Sequence, residues 1–475
     1  MGPSRSRWMG LGFAFGFTVA VGTAFLFPTE GWAIPAFSRL YGKSCGACHV
    51  AFPKLNASGE EFRLSGYHRF EGGIEVPKVP PVKIGEKIEL PGIVPLSLII
   101  EAGWDFHDVK EREREESRTV TTSPNSFNLE AVELFAGGTL GRHVSFFTHF
   151  PMVETEFEEG DFEMEGPEPP EVAFVALNDV LVADLFNLKL GAFDLPALSG
   201  TGLSPHRRLS VAPYEIFEAM AASLLGIEEE ETGERLGIME AHRIFNPAHS
   251  QLGSELYGNL YSDLSGIPDF ILRYNVGVTN ATSRNPDNNR NKAVYGRLEA
   301  RYLNQSLGFF GLYAGNTVDH EPPAGFPGRK NRAWRLGPDI SLRFFEENLN
   351  LISQFLWGRD SSPTGLGVPL RYWGGFTEVD YKLPLKKLGD LVALLRFDYV
   401  FTDTFDDTTK GGTVVTKPRI FAVTGGLQYF FWENFKIVAE YTFREEKERL
   451  SAEESTREHD RVRDHIFTVR FNVVF

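Results

Sequence analysis

Cys45, Cys48 and His49 stand together as Cys45-Gly46-Ala47-Cys48-His49, and no other cysteine occurs in the chain. C-x-x-C-H is the attachment sequence of a c-type haem: two thiols bond the porphyrin edge while the imidazole ligates the iron. At i, i+3 and i+4 the three side chains share one helical face, so the motif predicts a short helix over Cys45 to Ala51. Plainer chemistries use the same residues. A thioredoxin-like dithiol wants a βαβ context, which is missing here. Four-coordinate zinc wants further Cys or His at motif spacing, and the nearest histidine, His68, stands alone. An ordinary disulfide is the third. The adjacent His49 and the lack of other cysteines favour one covalent haem c with His49 as proximal ligand.

The sixth iron ligand is open. His68 is the other histidine of this segment and the first candidate. No methionine lies between His49 and Met152, so His107, His149, Met152 and His206 are the fallbacks, and a water-bound iron is the remaining alternative.

The elements that must position these groups follow from the flanking sequence. Residues 1–33 read as a cleaved signal peptide: Arg5 and Arg7, an uncharged apolar run from Trp8 to Phe27, then Gly31-Trp32-Ala33. Export suits the motif, because haem is attached beyond the inner membrane. Residues 34–70 form a small α-helical c-type cytochrome segment. Pro35 opens a helix that Gly42 ends, the motif helix stops before Pro53, and Ser58 with Glu61 in capping-box spacing starts a third helix ending at Gly66. So short a segment cannot bury enough apolar surface alone. Phe37, Tyr41, Phe52, Leu55, Phe62 and Tyr67 are the residues expected to pack a haem. Residues 71–95 are a Pro-rich linker with Pro77, Pro80, Pro81, Pro91 and Pro95.

From Leu96 to Phe475 the pattern is alternation. Phe467, Val469, Phe471, Val473 and Phe475 oppose Thr468, Arg470 and Asn472; Leu395, Phe397, Tyr399 and Phe401 oppose Arg396 and Asp398. Leu272, Tyr274, Val276 and Val278 oppose Arg273 and Asn275, and Val294, Leu298 and Tyr302 oppose Arg297, Glu299 and Arg301. Charges of both signs on the second face argue against a soluble sandwich, whose inner face must be apolar. They fit an all-β transmembrane barrel with lipid outside and a wet lumen. Short connections near 141–142, 179–184, 304–306, 346–348, 384–390 and 432–434 mostly alternate with longer polar ones. About sixteen antiparallel strands are expected, with 247–267 an exception, long where a short turn belongs. After Ala33 no stretch reaches the ~18 apolar residues of a spanning helix. An even strand number puts both barrel ends on the periplasmic side of an outer membrane, with residues 34–70 there or in the lumen.

Composition narrows the function classes. A formal charge of −16 argues against nucleic-acid binding. No nucleophile–base pair, phosphate loop or dinucleotide fingerprint has its required context, so hydrolase and transferase chemistry has no support. Glu154, Glu156, Glu158, Glu159, Asp161, Glu163, Glu165, Glu168 and Glu171 make one loop strongly acidic. A solvated loop is the plain interpretation, and concentration of a hard cation the functional one. Tyr214 to Glu231 reads as an amphipathic helix that either folds into the lumen or caps it. Arg207 and Arg208 before it either face haem propionates or form a surface pair, the second being favoured.

The segment resembles the fused outer-membrane monohaem cytochrome c–porin family, which includes iron-oxidising members. The family pattern appears as Pro35, Phe37, Ser38, Arg39, Gly42, Cys45, Cys48, His49, Pro53, Leu55, Gly59, Phe62, Gly66 and Tyr67, over about 35 residues. The resemblance implies a monohaem cytochrome in or beneath a porin-like barrel. It would oxidise extracellular ferrous iron and pass electrons to a periplasmic carrier such as a soluble cytochrome. The alternatives are a porin whose haem segment is a plug or redox gate, and electron export with the same parts.

Overall fold

The computed structural model describes residues 36–475 except 68, 71–72, 75–77, 85–87, 114–117, 142, 159–160, 167–169, 197–206, 219–244, 262–264, 282–289, 318–329, 363–368, 386–387, 403–404, 408–413, 417–418 and 449–459. Residues 1–33, where the signal peptide is expected, and Pro35 lie outside that set, as do His68 and His206.

The alternating sequence folds as a closed antiparallel barrel. Its sixteen wall strands are β1 (Leu96–Glu113), β2 (Asn125–Leu140), β3 (Val144–Glu158), β4 (Val172–Leu177), β5 (Asn187–Phe193), β6 (Gln251–Leu260), β7 (Phe270–Asn280) and β8 (Lys292–Tyr302). They continue with β9 (Gln305–Ala314), β10 (Ala333–Phe344), β11 (Leu349–Asp360), β12 (Leu370–Pro384), β13 (Asp390–Thr402), β14 (Arg419–Trp432), β15 (Phe435–Glu448) and β16 (Asp460–Val474). Pairing of β16 with β1 closes the cylinder. The ends of the wall meet at one rim, where Leu98 and Phe475 exchange backbone hydrogen bonds of 3.1 and 2.8 Å. The expected exception at 247–267 is resolved by a strand the sequence did not show: β6 occupies Gln251–Leu260 within it, and β7 begins at Phe270. Two expected long loops are largely strand: Arg118–Thr122 folds back on β1 and Asp161–Glu165 on β3.

Face assignment follows the alternation. On β13 Leu395 is 60 % exposed and Phe397 39 %, whereas Arg396 is 1 % and Asp398 0 % exposed. The outer surface is therefore apolar and the inner one charged, as in a membrane-spanning barrel. Part of the inner charge faces a cavity, described below, and part is covered by the chain itself. Arg273, Arg297, Glu299, Arg335, Asp339 and Glu378 are all buried.

The lumen is filled by the chain itself. Residues 36–67 form α1 (Ala36–Tyr41), a 3₁₀ turn at Cys45–Ala47, a hairpin of His49–Ala51 with Lys54–Leu55, and α2 (Ala57–Leu64). Gly42 ends α1 at φ 58°, a conformation that favours glycine. The motif does not form the expected helix: one 3₁₀ turn passes directly into a strand. The cap of α2 is not Ser58 but Asn56, whose side chain accepts a 2.8 Å hydrogen bond from Gly59 N–H. Glu61, expected to complete a capping box, instead turns outward to Arg273, Tyr261 and Arg301.

Buried ion pairs hold this plug to the wall. Arg273 bridges Glu61 and Glu299 (2.8 Å to the latter), and Arg343 holds Glu60 at 2.7 Å. Lys54 reaches Glu378 at 3.4 Å and also Asp380. Lys382 and Lys436 each donate to a plug carbonyl at 2.9 Å, of Val50 and Phe52 respectively. Burial alone would raise the Glu60 carboxyl, but the Arg343 and Arg207 guanidiniums outweigh it and hold Glu60 at about 2. Its anchoring is thus complete above its ordinary value of 4.5 and is lost as pH falls toward 2. Arg273→Ala leaves Glu61 and Glu299 short of a cation and is expected to cost about 3–5 kcal/mol of anchoring. Proteolysis within 36–67 in detergent-solubilised barrel should accelerate; cleavage at the wild-type rate would refute the clamp.

Candidate functional site

Cys45, Cys48 and His49 all open on one cavity of about 870 Å³ between the plug and the barrel wall. Neither cysteine is in a disulfide. The 3₁₀ turn and the following strand therefore bring together the three side chains that a helix was expected to align. Asn56 fixes their loop from behind: its backbone N–H donates to Cys48 O at 2.9 Å and its side-chain amide to Gly46 O at 3.1 Å. Cys45 N–H donates to Glu433 Oε2 at 2.6 Å, in the short turn after β14. Burial, aided by that carboxylate, pushes the Cys45 thiol up to about 11.

His49 is oriented in the way that suits a metal ligand. Its Nδ1 donates to Pro53 O at 3.0 Å, which leaves Nε2 as the acceptor nitrogen. Burial lowers the imidazole to about 4, so it is neutral and has a lone pair to give.

The cavity wall is aromatic on the plug side. Phe37, Tyr41, Phe52, Leu55, Phe62 and Tyr67, the six residues expected from the sequence, all line it. Phe37 stacks on Tyr67 at 5.0 Å and meets Phe62 edge-on at 5.1 Å. Higher up, Glu101, Asp105, Glu130 and Glu133 line it, with Arg470 pairing Asp105 at 3.3 Å and also Glu130. A volume within the roughly 300–1,000 Å³ of small-molecule sites, an aromatic wall, two thiols and an oriented imidazole fit a haem c. Among the described residues no group of three or more His, Cys, Asp or Glu is placed to hold a metal ion.

The distal candidates separate. His68 and His206 lie outside the described residues. His107 lines the cavity, but nine residues along β1 from Leu98 at the rim, roughly 30 Å of strand. His149 is buried against Phe135 at 4.3 Å, between Glu171 (3.0 Å) and Glu133 (3.5 Å). Met152 is 40 % exposed and is not a cavity residue. None of these three is placed beside His49.

Sequence reasoning missed the second element in the lumen, a strap over 207–217. Arg207 and Arg208 are not the favoured surface pair: both are buried, Arg207 reaching Asp339 at 3.1 Å and Arg208 lining the cavity. The expected helix Tyr214–Glu231 is described only as α3 (Glu215–Glu218), with Tyr214, Ile216 and Phe217 buried in the lumen; 219–231 lie outside the described residues. Arg396 clamps the strap, donating to Ala212 O at 2.6 Å and Pro213 O at 2.9 Å. Gln428 donates to Leu209 O at 2.6 Å, and Glu440 accepts from Val211 N–H at 3.0 Å. Leu209 to Pro213 thereby form one wall of the cavity. The acidic stretch was read as a loop, yet much of it is a hairpin with Glu154 opposite Glu165 and Glu156 opposite Glu163; Glu171 leaves it to meet His149.

No family model and no curated protein sequence matches the chain. Among solved structures, the chain is similar to in-vitro folded OmpT, an outer membrane protein of Vibrio cholerae. Identity is 8 %, over 80 % of this chain and 98 % of that one, at a TM-score of 0.41. The outer membrane channel DcaP of Acinetobacter baumannii gives 8 % identity over 83 % and 100 % of the two chains, at 0.42. OmpF of Salmonella typhi, in complex with daunomycin, gives 12 % over 83 % and 99 %, at 0.41.

Gly59 generates a test of the loop's support. A Cβ there would overlap the Cys48 carbonyl, so Gly59→Ala must push α2 off the motif loop. The expected cost is about 1–3 kcal/mol, read as faster alkylation of Cys45 and Cys48 by a maleimide in the cofactor-free protein. Unchanged alkylation would show that α2 does not brace the loop.

Proposed function

We propose that this protein is an outer-membrane barrel that holds one haem c through Cys45, Cys48 and His49 and passes electrons across the membrane. The observation that carries the proposal is the opening of both thiols and the oriented imidazole on one aromatic-walled cavity inside a closed barrel. When bound, the haem supplies one-electron exchange at its iron. The chain's own residues do the rest. Cys45 and Cys48 tether it, His49 is held in the ligating tautomer by Pro53 O, and Phe37, Phe62 and Tyr67 give it an apolar wall. The strap and wall keep the site apart from the lipid.

Barrels of the outer membrane carry short turns on the periplasmic side and long loops outside. On that rule the plug lies at the periplasmic rim, where Cys45 bonds Glu433 and a soluble carrier would exchange electrons. Extracellular ferrous iron is the donor that the family resemblance implies, and outward export uses the same parts. The sixth ligand is unassigned, with His68 the candidate from the segment itself.

A solute channel is the second reading, favoured by the polar interior and by the size of a sixteen-stranded barrel, which can enclose an aqueous path. Against it, the plug and the strap occupy the lumen and are tied by buried hydrogen bonds and ion pairs. Electrons need no open path, whereas solutes do.

Two measurements separate these readings. In liposomes, the purified protein should show a c-type haem spectrum that turns ferrous when ferrous iron is added outside; a colourless protein would end the electron-transfer proposal. In planar bilayers wild-type protein should conduct far below an open porin, while Arg396→Ala, which frees Ala212 and Pro213, should raise conductance severalfold. Porin-like conductance in the wild type would favour the channel.

A further inference from the structure

Five cationic side chains line the cavity: Lys43, Arg63, Arg208, Lys436 and Arg470. Four of them are accounted for. Arg470 pairs with Asp105 and Glu130, and Lys436 donates to Phe52 O at 2.9 Å. Arg208 donates to Val211 O at 3.0 Å, and Lys43 is half-exposed and has its own interactions. Arg63 differs. Among the described residues its side chain makes neither an ion pair nor a hydrogen bond; its Nε, like those of Arg208 and Arg470, has no acceptor. Glu60 and Asp194 lie within electrostatic range of it without hydrogen-bonding it, and Glu60 is held by Arg343 at 2.7 Å. A guanidinium stays charged at any physiological pH, and a charge facing an enclosed space without a partner is costly.

The place of Arg63 tells which anion would complete it. It follows Phe62 on α2, and with Phe62, Gly59 and Tyr67 it forms the α2 side of the cavity. The Tyr67 hydroxyl is within electrostatic range of it. A ligand lying against Phe37, Phe62 and Tyr67 thus meets a cation at the edge of its apolar bed. The planar fork of arginine suits a carboxylate. A haem has two carboxylate arms on the edge opposite its vinyl-derived thioethers. We propose that Arg63 pairs with a propionate of the haem tethered at Cys45 and Cys48 and, through that charge, sets part of its reduction potential. This rests on the haem reading above. Arg63 is a binding residue here, not a ligand of the iron.

The test compares wild type, Arg63→Gln and Arg63→Lys as holoprotein in detergent, by redox titration of the haem spectrum at a series of pH values. Loss of the guanidinium leaves the propionate anion uncompensated, which favours ferric iron and makes that carboxylate harder to ionise. Arg63→Gln should therefore keep its covalent haem, titrate at a lower midpoint potential at neutral pH, and show the bend of its potential–pH curve displaced to higher pH. Arg63→Lys, which keeps the charge, should lie close to wild type. Haem-loaded Arg63→Gln with a curve superimposed on wild type would overturn the inference while leaving the haem reading intact. So would Arg63→Lys shifted as far as Arg63→Gln. A wild-type protein that carries no haem would overturn both.

Discussion

A charge inside a closed cylinder must find a counter-charge or a hydrogen-bonding partner there, and this rule shapes everything the barrel encloses. The wall points Arg273, Arg297, Glu299, Arg343, Glu378 and Arg396 inward. Wall-to-wall pairs such as Arg297–Asp339 at 2.7 Å satisfy some of them. Others are shared with groups on the plug and the strap: Glu60 and Glu61 for Arg343 and Arg273, Lys54 for Glu378, and strap carbonyls for Arg396. The plug, too small to build its own core, gains in exchange a rigid polar socket. Its stability and that of the barrel interior are one quantity. Because single buried partners are costly to remove and pairs are not, the arrangement is specific without needing to be strongly stabilising.

That exchange explains which parts of the molecule were legible in the sequence. Strand alternation was readable because the outer face must be apolar along its whole length, so Leu395, Phe397 and their like repeat at every second residue. Sixteen strands, the short turns and the closing Phe475 follow from the same pattern. The strand β6 escaped because Gly253, Ser254, Gly258 and Asn259 dilute its alternation. The filling of the lumen escaped for a different reason. Nothing in Arg396 or Glu378 distinguishes a charge that meets water from one that meets Ser210 or Lys54 some 170 to 320 residues away.

The site was legible as chemistry and less so as geometry. The motif residues and their six expected aromatic and aliphatic neighbours line one cavity, yet the helix expected through the motif is a 3₁₀ turn and a strand. Asn56 is the physical reason: by capping α2 and donating to Cys48 O it takes the backbone groups that a longer helix would use. The cavity's far wall, from Leu209 to Pro213, comes from a connection whose few apolar residues carry no strand or helix period to announce burial.

Chain order adds a consequence for how such a molecule is assembled. Cys45 finds Glu433 across 388 residues and Glu61 finds Arg273 across 212, whereas Ala36 with Ser97 is among the few nearer contacts across 61. The plug is seated only once the distant strands that hold it have formed, which leaves an interval before it docks. During that interval both thiols are presented to solvent on an unpacked stretch of chain. Any enzyme that modifies them has its opportunity before the wall comes together, and meets a linear peptide instead of a folded pore.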